Sequence, residues 1–502
     1  MAKVCLCLTG KTLQRNLDVL EKYRKYTDIA ELRVDCLDPD ERLLLRRFPE
    51  MAGLPVILTI RRSADGGFYQ EGEGARIVLL SKGLAFAEAD RRHNFAYVDL
   101  EEDLNVPSLE EAARTFGTRI IRSFHNVRAV DEDLTGRIRA LRRVGDEIVK
   151  AALTPQSLDD VLRVYQAAGE LRDTEKILLC MGDYGVNTRI MAERLGSFLS
   201  YVTARGEPDM PAAASGQLDP RELTELYRFR NITRRTRIFG ITGYPLKITG
   251  SPVFFNTIFG MENIDAVYVP FPADSIHAFV RLAEEIGLEG ASVTIPYKEE
   301  TLAYLSCQSP EVKNIGACNT MVAGPQGWMG YNTDAPGFSG SLLEFTGRKN
   351  FRGLRITIAG AGGAARAAAA EIHRLGGKAL ILNRTVSRAR DLAEPYRFAW
   401  GGLDNQGINR IDKFRDIIIQ TTSMGMEPDT GADPLELYKF IGREIVMDLI
   451  YKPERTKCLF RAEEAGCRVL NGYDMLLRQA RCQYVHFMGK EFPPALAARV
   501  KF

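Results

Sequence analysis

Two ionisable residues in the first half of the chain stand in short apolar runs, where such side chains are uncommon. Lys150 lies within residues 147–153, and His125 closes an earlier run. An apolar surrounding favours the neutral amine, which is the form that attacks a ketone, and histidine is the usual general base. For each residue taken alone, the alternatives are a lysine that reaches the rim or pairs with a carboxylate, and a structural histidine.

Other charged residues stand in or just after similar runs. Glu31 and Arg33 are two positions apart in one run, so their side chains point to the same side of a strand. Arg61 closes the next run, and Arg189 follows a later one. If the side that Glu31 and Arg33 share faces inward, these groups surround a polar pocket together with Lys150.

The apolar runs themselves form a regular series. They have strand length and many β-branched or aromatic residues, and amphipathic segments such as 77–90 and 158–168 separate them. The runs are residues 4–8, 30–34, 56–60, 96–100, 120–124, 148–153, 177–181 and 198–203. Eight β-then-α units within about 220 residues predict a (β/α)8 TIM barrel, whose catalytic groups gather at the carboxyl ends of the strands.

A glycine-rich turn marks the second half of the chain. Residues 355–359 have the pattern of a strand, and Gly-Ala-Gly-Gly at 360–363 then leads into an alanine-rich helix. Glycines there let backbone N–H groups approach a pyrophosphate at a helix N-terminus, which predicts a Rossmann-type site. Arg384 stands about 20 residues further on, where an acidic residue would indicate NAD, so NADP is favoured. A solvated surface arginine is the alternative.

The second half is also predicted to be α/β, with a linker before it. Residues 216–220 end the first pattern, and the basic stretch 228–237 precedes a new strand. Further strands are predicted at 238–242, 266–269, 291–294, 378–382, 417–420 and 445–448.

Composition narrows the class of protein. The 502 residues include 67 basic and 65 acidic ones, a net charge of +2, so no strong overall field favours nucleic acid or anionic lipid as a partner. Nine cysteines without paired zinc-type spacing indicate reduced thiols, and Cys5 and Cys7 are predicted to be small buried groups. With no export signal and no apolar run long enough to cross a bilayer, we expect a soluble cytoplasmic protein with no membrane partner.

The motifs of the first half resemble those of the type I dehydroquinate dehydratases over nearly all of residues 1–218. The matching pieces are ELRVD at 31–35, TIR at 59–61, SFHN at 123–126, VK at 149–150, the stretch 181–189 and GQ at 216–217. The resemblance implies that Lys150 forms an imine with the ketone of 3-dehydroquinate and that His125 removes a proton from the adjacent carbon. Glu31 would orient His125 or the substrate hydroxyls.

The same resemblance implies a set of residues that hold the substrate carboxylate and hydroxyls. They are Arg33, Arg61, Asp65, Arg189, Ser215 and Gln217. The chain departs from the family at Asp65, where glutamate is common, and at Ala213, where a serine hydroxyl is either lost or supplied by Ser215.

The motifs of the second half resemble shikimate dehydrogenase across residues 238–502. The matching pieces are GYPL at 243–246, TGSP at 249–252, Asn256, SVTIPYK at 292–298, GACNT at 316–320, GYNTDAPG at 330–337, NRT at 383–385, TSMG at 422–425, DLIYKP at 448–453 and GYDML at 472–476. By resemblance, Lys298 and Asp334 flank the reacting carbonyl, and Lys298 donates the proton.

The resemblance also implies the binding residues of this half, with NADP as cofactor and no metal. Substrate would be held by Thr249, Ser251, Thr294, Asn319, Tyr451 and Gln479. The cofactor would be held by Gly360, Gly362, Gly363, Ala364, Asn383, Arg384, Thr385, Arg388, Thr422, Ser423, Met424, Gly472 and Met475. Thr249, Ile248 and Ser292 replace the family's serine, histidine and asparagine, which leaves quinate open as a substrate.

Together these features predict a TIM barrel joined to a two-lobed α/β dehydrogenase. The expected domains are a barrel at 1–218, a linker at 219–237, a substrate lobe at 238–337 completed by 471–502, and a Rossmann domain at 338–470. Small-molecule substrates, 3-dehydroquinate, 3-dehydroshikimate and shikimate, are the expected partners, and the oligomeric state is open. A quinate-sensing regulator, or a chain with one active half, is the rival interpretation.

Overall fold

The computed structural model describes residues 1–84, 90–246, 249–496 and 499–500. Ile248, residues 85–89 of the predicted helix, and residues 497–498 and 501–502 of the predicted carboxyl-terminal segment lie outside the described residues. The chain divides into two compact units, Met1–Leu288 and Glu289–Phe502.

The first unit opens with eight parallel strands. They are β1 (Lys3–Leu8), β2 (Ile29–Arg33), β3 (Val56–Thr59), β4 (Tyr97–Glu101), β5 (Arg119–Asn126), β6 (Ile148–Leu153), β7 (Lys176–Cys180) and β8 (Leu199–Thr203). They pair in the order β7-β6-β5-β4-β3-β2-β1-β8, and a parallel bridge from Lys176 to Ser197 brings β7 to the start of β8. The nearly closed sheet confirms the predicted barrel, and each predicted strand has its counterpart.

Helices alternate with these strands. They are α1 (Leu13–Tyr23), α2 (Phe48–Ala52), α3 (Glu73–Leu84), α4 (Pro107–Thr115), α5 (Leu134–Leu141), α6 (Leu158–Glu170) and α7 (Val186–Ile190). Helix α6 begins where the Ser157 side chain accepts a hydrogen bond from the Asp160 N–H, which satisfies one free donor of the first turn. Apolar strand residues, among them Cys5, Cys7 and Ile57, form one cluster of the core, so the two cysteines are buried as predicted.

The rest of the first unit continues from the barrel. Residues Glu222–Leu226 form a π-helical turn and Phe229–Asn231 a 3-10 turn, and then come β9 (Arg237–Gly243), α8 (Ser251–Met261), β10 (Ala266–Pro272) and α9 (Ile276–Ile286). Strands β9 and β10 are parallel. Helix α9 packs against α6 of the barrel, where Arg281 pairs with Asp159 at 2.9 Å.

The second unit begins with four strands that belong to a mixed sheet. Its strands are β11 (Leu288–Val293), β12 (Leu305–Gln308), β13 (Thr320–Gly324) and β14 (Gly327–Tyr331). The β11-β13-β14 pairs are antiparallel, whereas β12 runs parallel to β14. The helices of this part are α10 (Pro310–Ile315), α11 (Asp334–Thr346) and α16 (Tyr473–Met488), and α16 packs against α11.

A six-stranded parallel sheet forms the remainder of the second unit. Its strands are β15 (Arg355–Ala359), β16 (Lys378–Asn383), β17 (Ala399–Gly402), β18 (Ile417–Gln420), β19 (Ile445–Asp448) and β20 (Arg468–Leu470). Its helices are α12 (Gly363–Arg374), α13 (Val386–Ala393), α14 (Asn405–Ile408) and α15 (Lys457–Glu464). The order β17-β16-β15-β18-β19-β20 is the doubly wound order of dinucleotide-binding folds, as predicted. Within the described ranges, no helix has both the length and the apolar character needed to cross a membrane.

Candidate active sites

The carboxyl ends of the barrel strands surround a pocket of about 320 Å³. Every residue predicted for the first site lines this pocket: Glu31, Arg33, Arg61, Asp65, His125, Lys150, Arg189, Ser215 and Gln217. These residues are far apart in the sequence, and the barrel brings them together because all its strands end at the same face.

Lys150 is buried on β6, but its side chain points to polar groups. Its Nζ donates to Asp99 Oδ2 at 2.7 Å and lies 4.0 Å from Glu31 Oε1, and it sits 4.6 Å from the centre of the Tyr201 ring. The expectation of an apolar surrounding is therefore wrong. Neighbours along β6 face the other way, because side chains alternate in a strand, and the barrel interior around Lys150 holds carboxylates.

Asp99, in the middle of β4, is a site residue that the sequence analysis missed. It pairs with Arg61 at 2.8 Å as well as with Lys150, and it accepts a hydrogen bond from the Ser123 hydroxyl at 2.5 Å. Burial alone would raise the pKa of Asp99, but Arg61 and Lys150 hold it well below its usual range. Asp99 is therefore an anion that fixes the position of the Lys150 amine.

His125 is the second-last residue of β5 and pairs with Ala152 of β6. Burial lowers the pKa of His125 well below its ordinary value, and the positive charges of Arg61 and Lys150 lower it further. Its Nδ1 is buried and has no hydrogen-bond partner in the part of the chain that the structure describes. A neutral imidazole with a free nitrogen can take a proton, so His125 has the form that a general base needs.

Glu31 lies beside Lys150, with its Oε1 4.0 Å from the Lys150 Nζ. Its Oε1 accepts from the Thr59 hydroxyl at 2.9 Å, and the Cys7 thiol donates to its Oε2 at 3.1 Å. These bonds fix the carboxylate at the pocket wall. Both roles expected for Glu31, orienting His125 and contacting the substrate hydroxyls, stay predictions.

The three predicted arginines differ in their partners. Arg33 makes two bonds to Asp35, at 2.9 and 2.7 Å, and Arg61 pairs with Glu101 at 2.6 Å in addition to Asp99. Arg189 forms no ion pair among the described residues, and its Nε and Nη1 are buried without a partner there. Burial lowers the pKa of Arg189 to about 10. Of the three guanidinium groups, that of Arg189 is therefore the one best placed to bind the carboxylate of a ligand.

The remaining predicted residues line the mouth of the pocket. Ser215 Oγ accepts a hydrogen bond from the Gly182 N–H at 3.1 Å, which places a hydroxyl near the alanine at position 213. Gln217 Nε2 contacts the Cys7 sulfur at 3.3 Å, while its Oε1 is buried without a partner among the described residues. Asp65 pairs with Arg62 at 2.6 Å.

A second cluster lies in the second unit, around Lys298. Its Nζ donates to Asp334 Oδ2 at 2.6 Å, and Asn319 Nδ2 donates to the other oxygen of Asp334 at 2.8 Å. Asn319 also donates to the Thr333 hydroxyl at 3.0 Å. The predicted pair of lysine and aspartate therefore forms an oriented unit, because Asp334 begins α11 and Asn319 directly precedes β13.

Helix α16 contributes two glutamines to this cluster. The Thr333 hydroxyl donates to Gln479 Oε1 at 3.4 Å, and Gln483 Nε2 donates to the Asn319 carbonyl at 3.3 Å. The Ser292 hydroxyl donates to Gln483 Oε1 at 2.9 Å. Gln483 was not predicted from the sequence, although its position four residues after Gln479 places both on one face of the helix.

The predicted cofactor turn lies directly against Lys298. A Cβ added at Gly363, the first residue of α12, would stand 2.9 Å from Lys298 Cδ, so a larger residue there would meet the lysine. Gly360, Gly362 and Ala364 belong to the same turn between β15 and α12. The predicted residues Thr422, Ser423 and Met424 follow β18, which pairs with β15, at the point where the strand order reverses and dinucleotides bind.

Two arginines follow the neighbouring strand β16. Arg384 and Arg388 are exposed, and neither has an ion-pair partner among the residues that the structure describes. Asn383 Nδ2 donates to the Thr385 carbonyl at 3.0 Å, which shapes the turn that carries Arg384. Free guanidinium groups at this end of the sheet have the chemistry to bind a phosphate.

The other predicted residues lie on further elements of the two units. Thr249 and Ser251 lie at the start of α8 in the first unit, where the Ser251 N–H donates to Thr249 Oγ1 at 3.3 Å. Thr294 directly follows β11 and Tyr451 follows β19. Gly472 precedes α16, and Met475 is buried in that helix.

Known protein families match both parts of the chain. The family of type I 3-dehydroquinases matches residues 4–234, and the family of shikimate dehydrogenase substrate-binding domains matches residues 241–321. The chain is 35% identical to a shikimate dehydrogenase (NADP(+)) of Caldanaerobacter subterraneus over 267 residues, which cover 52% of this chain and 95% of that protein.

Proteins similar over nearly the whole chain have both parts. A chloroplastic bifunctional 3-dehydroquinate dehydratase/shikimate dehydrogenase of Arabidopsis thaliana is 29% identical over 495 residues, which cover 93% of this chain and 79% of that protein. A solved structure of the dehydroquinate dehydratase and shikimate dehydrogenase of S. pombe is 24% identical, covers 99% of this chain and 98% of that one, and has a TM-score of 0.42.

Proposed function

Because the chain belongs to the shikimate dehydrogenase family and carries a type I 3-dehydroquinase domain before it, we propose that its two clusters catalyse consecutive reactions. The barrel dehydrates 3-dehydroquinate to 3-dehydroshikimate, and the second half reduces that product to shikimate with NADPH. The observation that carries the first reaction is a pocket lined by Lys150, His125 and Arg189. The ion pair of Lys298 with Asp334 beside the glycine turn carries the second.

In the barrel, the Lys150 amine attacks the substrate ketone, and water leaves as the imine forms. The protonated imine draws electrons from the adjacent carbon, so His125, held neutral by burial, can remove a proton there. His125 then returns that proton to the departing hydroxyl, which leaves as water. Hydrolysis of the imine releases the product and restores the amine beside Asp99.

The substrate carboxylate binds to Arg189, because this guanidinium is buried in the pocket and lacks a carboxylate of its own among the described residues. Glu31, Gln217 and Ser215 contact the hydroxyls, since each presents an oxygen to the pocket. Arg33 and Arg61 act mainly through the carboxylates that they already hold. This division refines the equal roles expected for the three arginines.

In the second half, Lys298 donates a proton to the oxygen of the substrate carbonyl as reduction turns it into a hydroxyl. Asp334 keeps the lysine charged and in place, and Asn319 orients Asp334. NADPH, when bound, supplies the hydride. Thr249 and Ser251 bind the substrate carboxylate through their hydroxyls, and Thr294, Tyr451 and Gln479 bind the ring hydroxyls.

The residues around the glycine turn fit a dinucleotide with a 2′-phosphate. Gly362, Gly363 and Ala364 leave backbone N–H groups accessible at the start of α12, and this helix end favours negative charge. Gly360 lies in the same turn, and its N–H donates to the Leu382 carbonyl at 2.7 Å. Arg384 and Arg388 would hold the 2′-phosphate, since both guanidinium groups lack another partner among the described residues. The loop with Thr422, Ser423 and Met424, together with Asn383, Thr385, Gly472 and Met475, completes the cofactor site.

The predicted domain limits and cellular compartment are also part of this proposal. The limits are a barrel at 1–218, a linker at 219–237, a substrate lobe at 238–337 completed by 471–502, and a Rossmann domain at 338–470. A reducing, cytoplasmic setting suits the nine free cysteines. Small acids are the ligands of both sites, and no nucleic acid or membrane partner is needed for either reaction.

A single incubation tests the proposed function. The protein receives 3-dehydroquinate and NADPH, and a parallel sample receives NADH. We expect shikimate to form with one NADPH consumed per molecule, and much less reduction with NADH. If neither 3-dehydroquinate nor 3-dehydroshikimate changes and nicotinamide absorbance stays constant, the proposal fails; accumulation of 3-dehydroshikimate alone would confine it to the barrel.

A further inference from the structure

A second pocket lies at the opposite end of the barrel from Lys150. It has a volume of about 280 Å³ and is lined by the end of α6, the residues before β8, Arg234 of the linker and the end of α9, all in the first unit. Lys176, the first residue of β7, stands beside it. This end holds the amino termini of the barrel strands, so neither proposed reaction uses it.

The pocket and its immediate wall are rich in positive charge. They present four cations, Arg172, Lys176, Arg194 and Arg234, and none of the four forms an ion pair with a carboxylate in the described part of the chain. Glu285 is the acidic residue of the lining. The positive charge of the group is therefore not balanced by ion pairs.

Lys176 and Arg234 face the same small space. Lys176 Nζ lies 3.3 Å, and Arg234 Nη2 3.5 Å, from the position that a Cβ would occupy on Gly196. Gly196 has a φ of +61°, where a residue without a side chain is favoured, so no side chain at this position separates the two cations. Lys176 and Arg234 therefore lie close enough together for one phosphate group to contact both.

Lys176 is buried with one hydrogen bond, which its Nζ donates to the Leu171 carbonyl at 2.7 Å. An ammonium group has three N–H donors, so two remain for another acceptor. Burial lowers the pKa of Lys176 to about 8, Arg234 lowers it as well, and Asp173 opposes this. A bound anion would supply the acceptors and the charge that this side chain lacks.

The carboxyl ends of helices compensate part of the positive charge of these four residues, but not all of it. Arg172 Nε donates to the Gly169 carbonyl at 3.1 Å, and Arg194 donates to the carbonyls of Arg234 and, at 2.8 Å, of Ile286 at the end of α9. Each helix carboxyl end offers about half a negative charge. Two such ends, with Glu285 and Asp173, do not compensate four cations.

We propose that this pocket is a binding site for a phosphate group, held by Lys176 and Arg234 with Arg172 and Arg194 beside them. Guanidinium and ammonium groups together are the usual protein ligands of phosphate. Because Arg194 donates to the carbonyls of both Arg234 and Ile286, an anion here bridges the barrel and the segment that follows it. Binding should therefore stabilise the first unit as a whole.

Inorganic phosphate is the probe for this site. Thermal unfolding of the full-length protein is followed in phosphate and in chloride at equal pH and ionic strength, and binding is measured by isothermal titration calorimetry. We expect phosphate to raise the unfolding temperature of the wild type. Arg234→Ala and Lys176→Met should weaken phosphate binding at least tenfold and abolish the shift.

The matched control is Arg235→Ala, because Arg235 is an exposed neighbour of Arg234 and does not line the pocket. It should keep the wild-type response within twofold. No response in the wild type, or an equal response in all variants, would overturn the proposal, since phosphate would then bind elsewhere, for example at Arg384. Ribose 5-phosphate in place of phosphate shows whether a phosphoester fits; the tighter ligand of the two identifies the source of the phosphate group.

Discussion

Lys150 acts within a buried network of charges. Its amine shares Asp99 with Arg61, Arg61 also contacts Glu101, and Arg76 pairs with the second oxygen of Glu101 at 2.7 Å. Buried charges are costly unless each has a partner, so the network keeps the amine in a fixed place while remaining balanced. Removal of Lys150 is therefore expected to affect chemistry and also the balance around Asp99.

Lys150→Ala should abolish the covalent link to the substrate. With 3-dehydroquinate and borohydride, the wild type should gain the mass of one reduced adduct, because an imine becomes a stable amine, whereas the variant should gain none. Mass spectrometry measures this. Lys176→Met is the matched control, since Lys176 is a buried lysine at the other end of the barrel and should leave the adduct unchanged. An adduct on Lys150→Ala would assign the nucleophile to another residue.

His125 predicts the pH dependence of dehydration. Its folded pKa is lowered, mainly by burial, so the base stays unprotonated as the pH falls below the ordinary histidine value of about 6.5. We expect kcat/KM for dehydration to stay nearly constant between about pH 7.5 and pH 6. His125→Ala should lower kcat by roughly 10²- to 10⁴-fold. A wild-type rate that halves near pH 6.5 would contradict this assignment.

The residues of the barrel site could largely be predicted from sequence, but their partners could not. Glu31, Lys150 and Arg189 line the pocket as the strand pattern and the family motifs suggested. Asp99 was not predicted, although it stands within a predicted apolar run as Lys150 does. One carboxylate within a strand does not indicate which side chains of other strands it contacts. The contact depends on the register that places Ser123 opposite both Glu101 and Lys150.

At the level of elements, the strands that the sequence analysis identified are those with long apolar, β-branched cores. Strands β12, β13, β14, β17 and β20 were not predicted. They are short, and β13, β14 and β17 contain glycine, which weakens the strand signal. Tertiary pairing stabilises them: β13 and β14, for example, form a hairpin closed between Gly324 and Gly327.

The position of Arg384 after β16 predicts cofactor preference. Arg384→Ala should raise KM for NADPH by roughly 10-fold or more, since a hydrogen bond to a charged group contributes about 1.5–3 kcal/mol, and should leave KM for NADH nearly unchanged. Steady-state kinetics with both cofactors measure this. Arg390→Ala is the control, because Arg390 is also exposed on α13 but contacts Asp391 at 3.3 Å. Equal effects on both cofactors would remove Arg384 from the phosphate site.

At the level of the whole molecule, the groups proposed to carry out the chemistry of the two reactions are different residues, and they lie in different units. The barrel pocket belongs to residues 1–288, and the cluster around Lys298 and Asp334 belongs to residues 289–502. Each half should therefore lose its activity without loss of the other. The sequence could predict that one chain carries two enzymes, because each half has its own motifs.

Lys298→Ala tests the separation. Reduction of 3-dehydroshikimate should slow by roughly 10²- to 10⁴-fold, because the proton donor is lost, while KM changes little and dehydration continues at the wild-type rate. Supplied with 3-dehydroquinate, the variant should accumulate 3-dehydroshikimate, measured by chromatography. Lys313→Ala, at an exposed lysine of α10, is the control and should behave as wild type. Unchanged reduction in Lys298→Ala would remove that lysine from its role.

The packing of α6 against α9 has a consequence for anyone who dissects the gene. A cut after residue 237 would strip the barrel of Asp274, which accepts from the Leu158 N–H at 2.8 Å, and of Tyr244, whose ring stacks on Tyr184 at 6.1 Å. The isolated dehydratase would then expose one side of α6 to the solvent. Exposed surfaces of this kind promote aggregation on expression. If the expressed chain extends to residue 288 instead, α6 keeps the residues that pack against it.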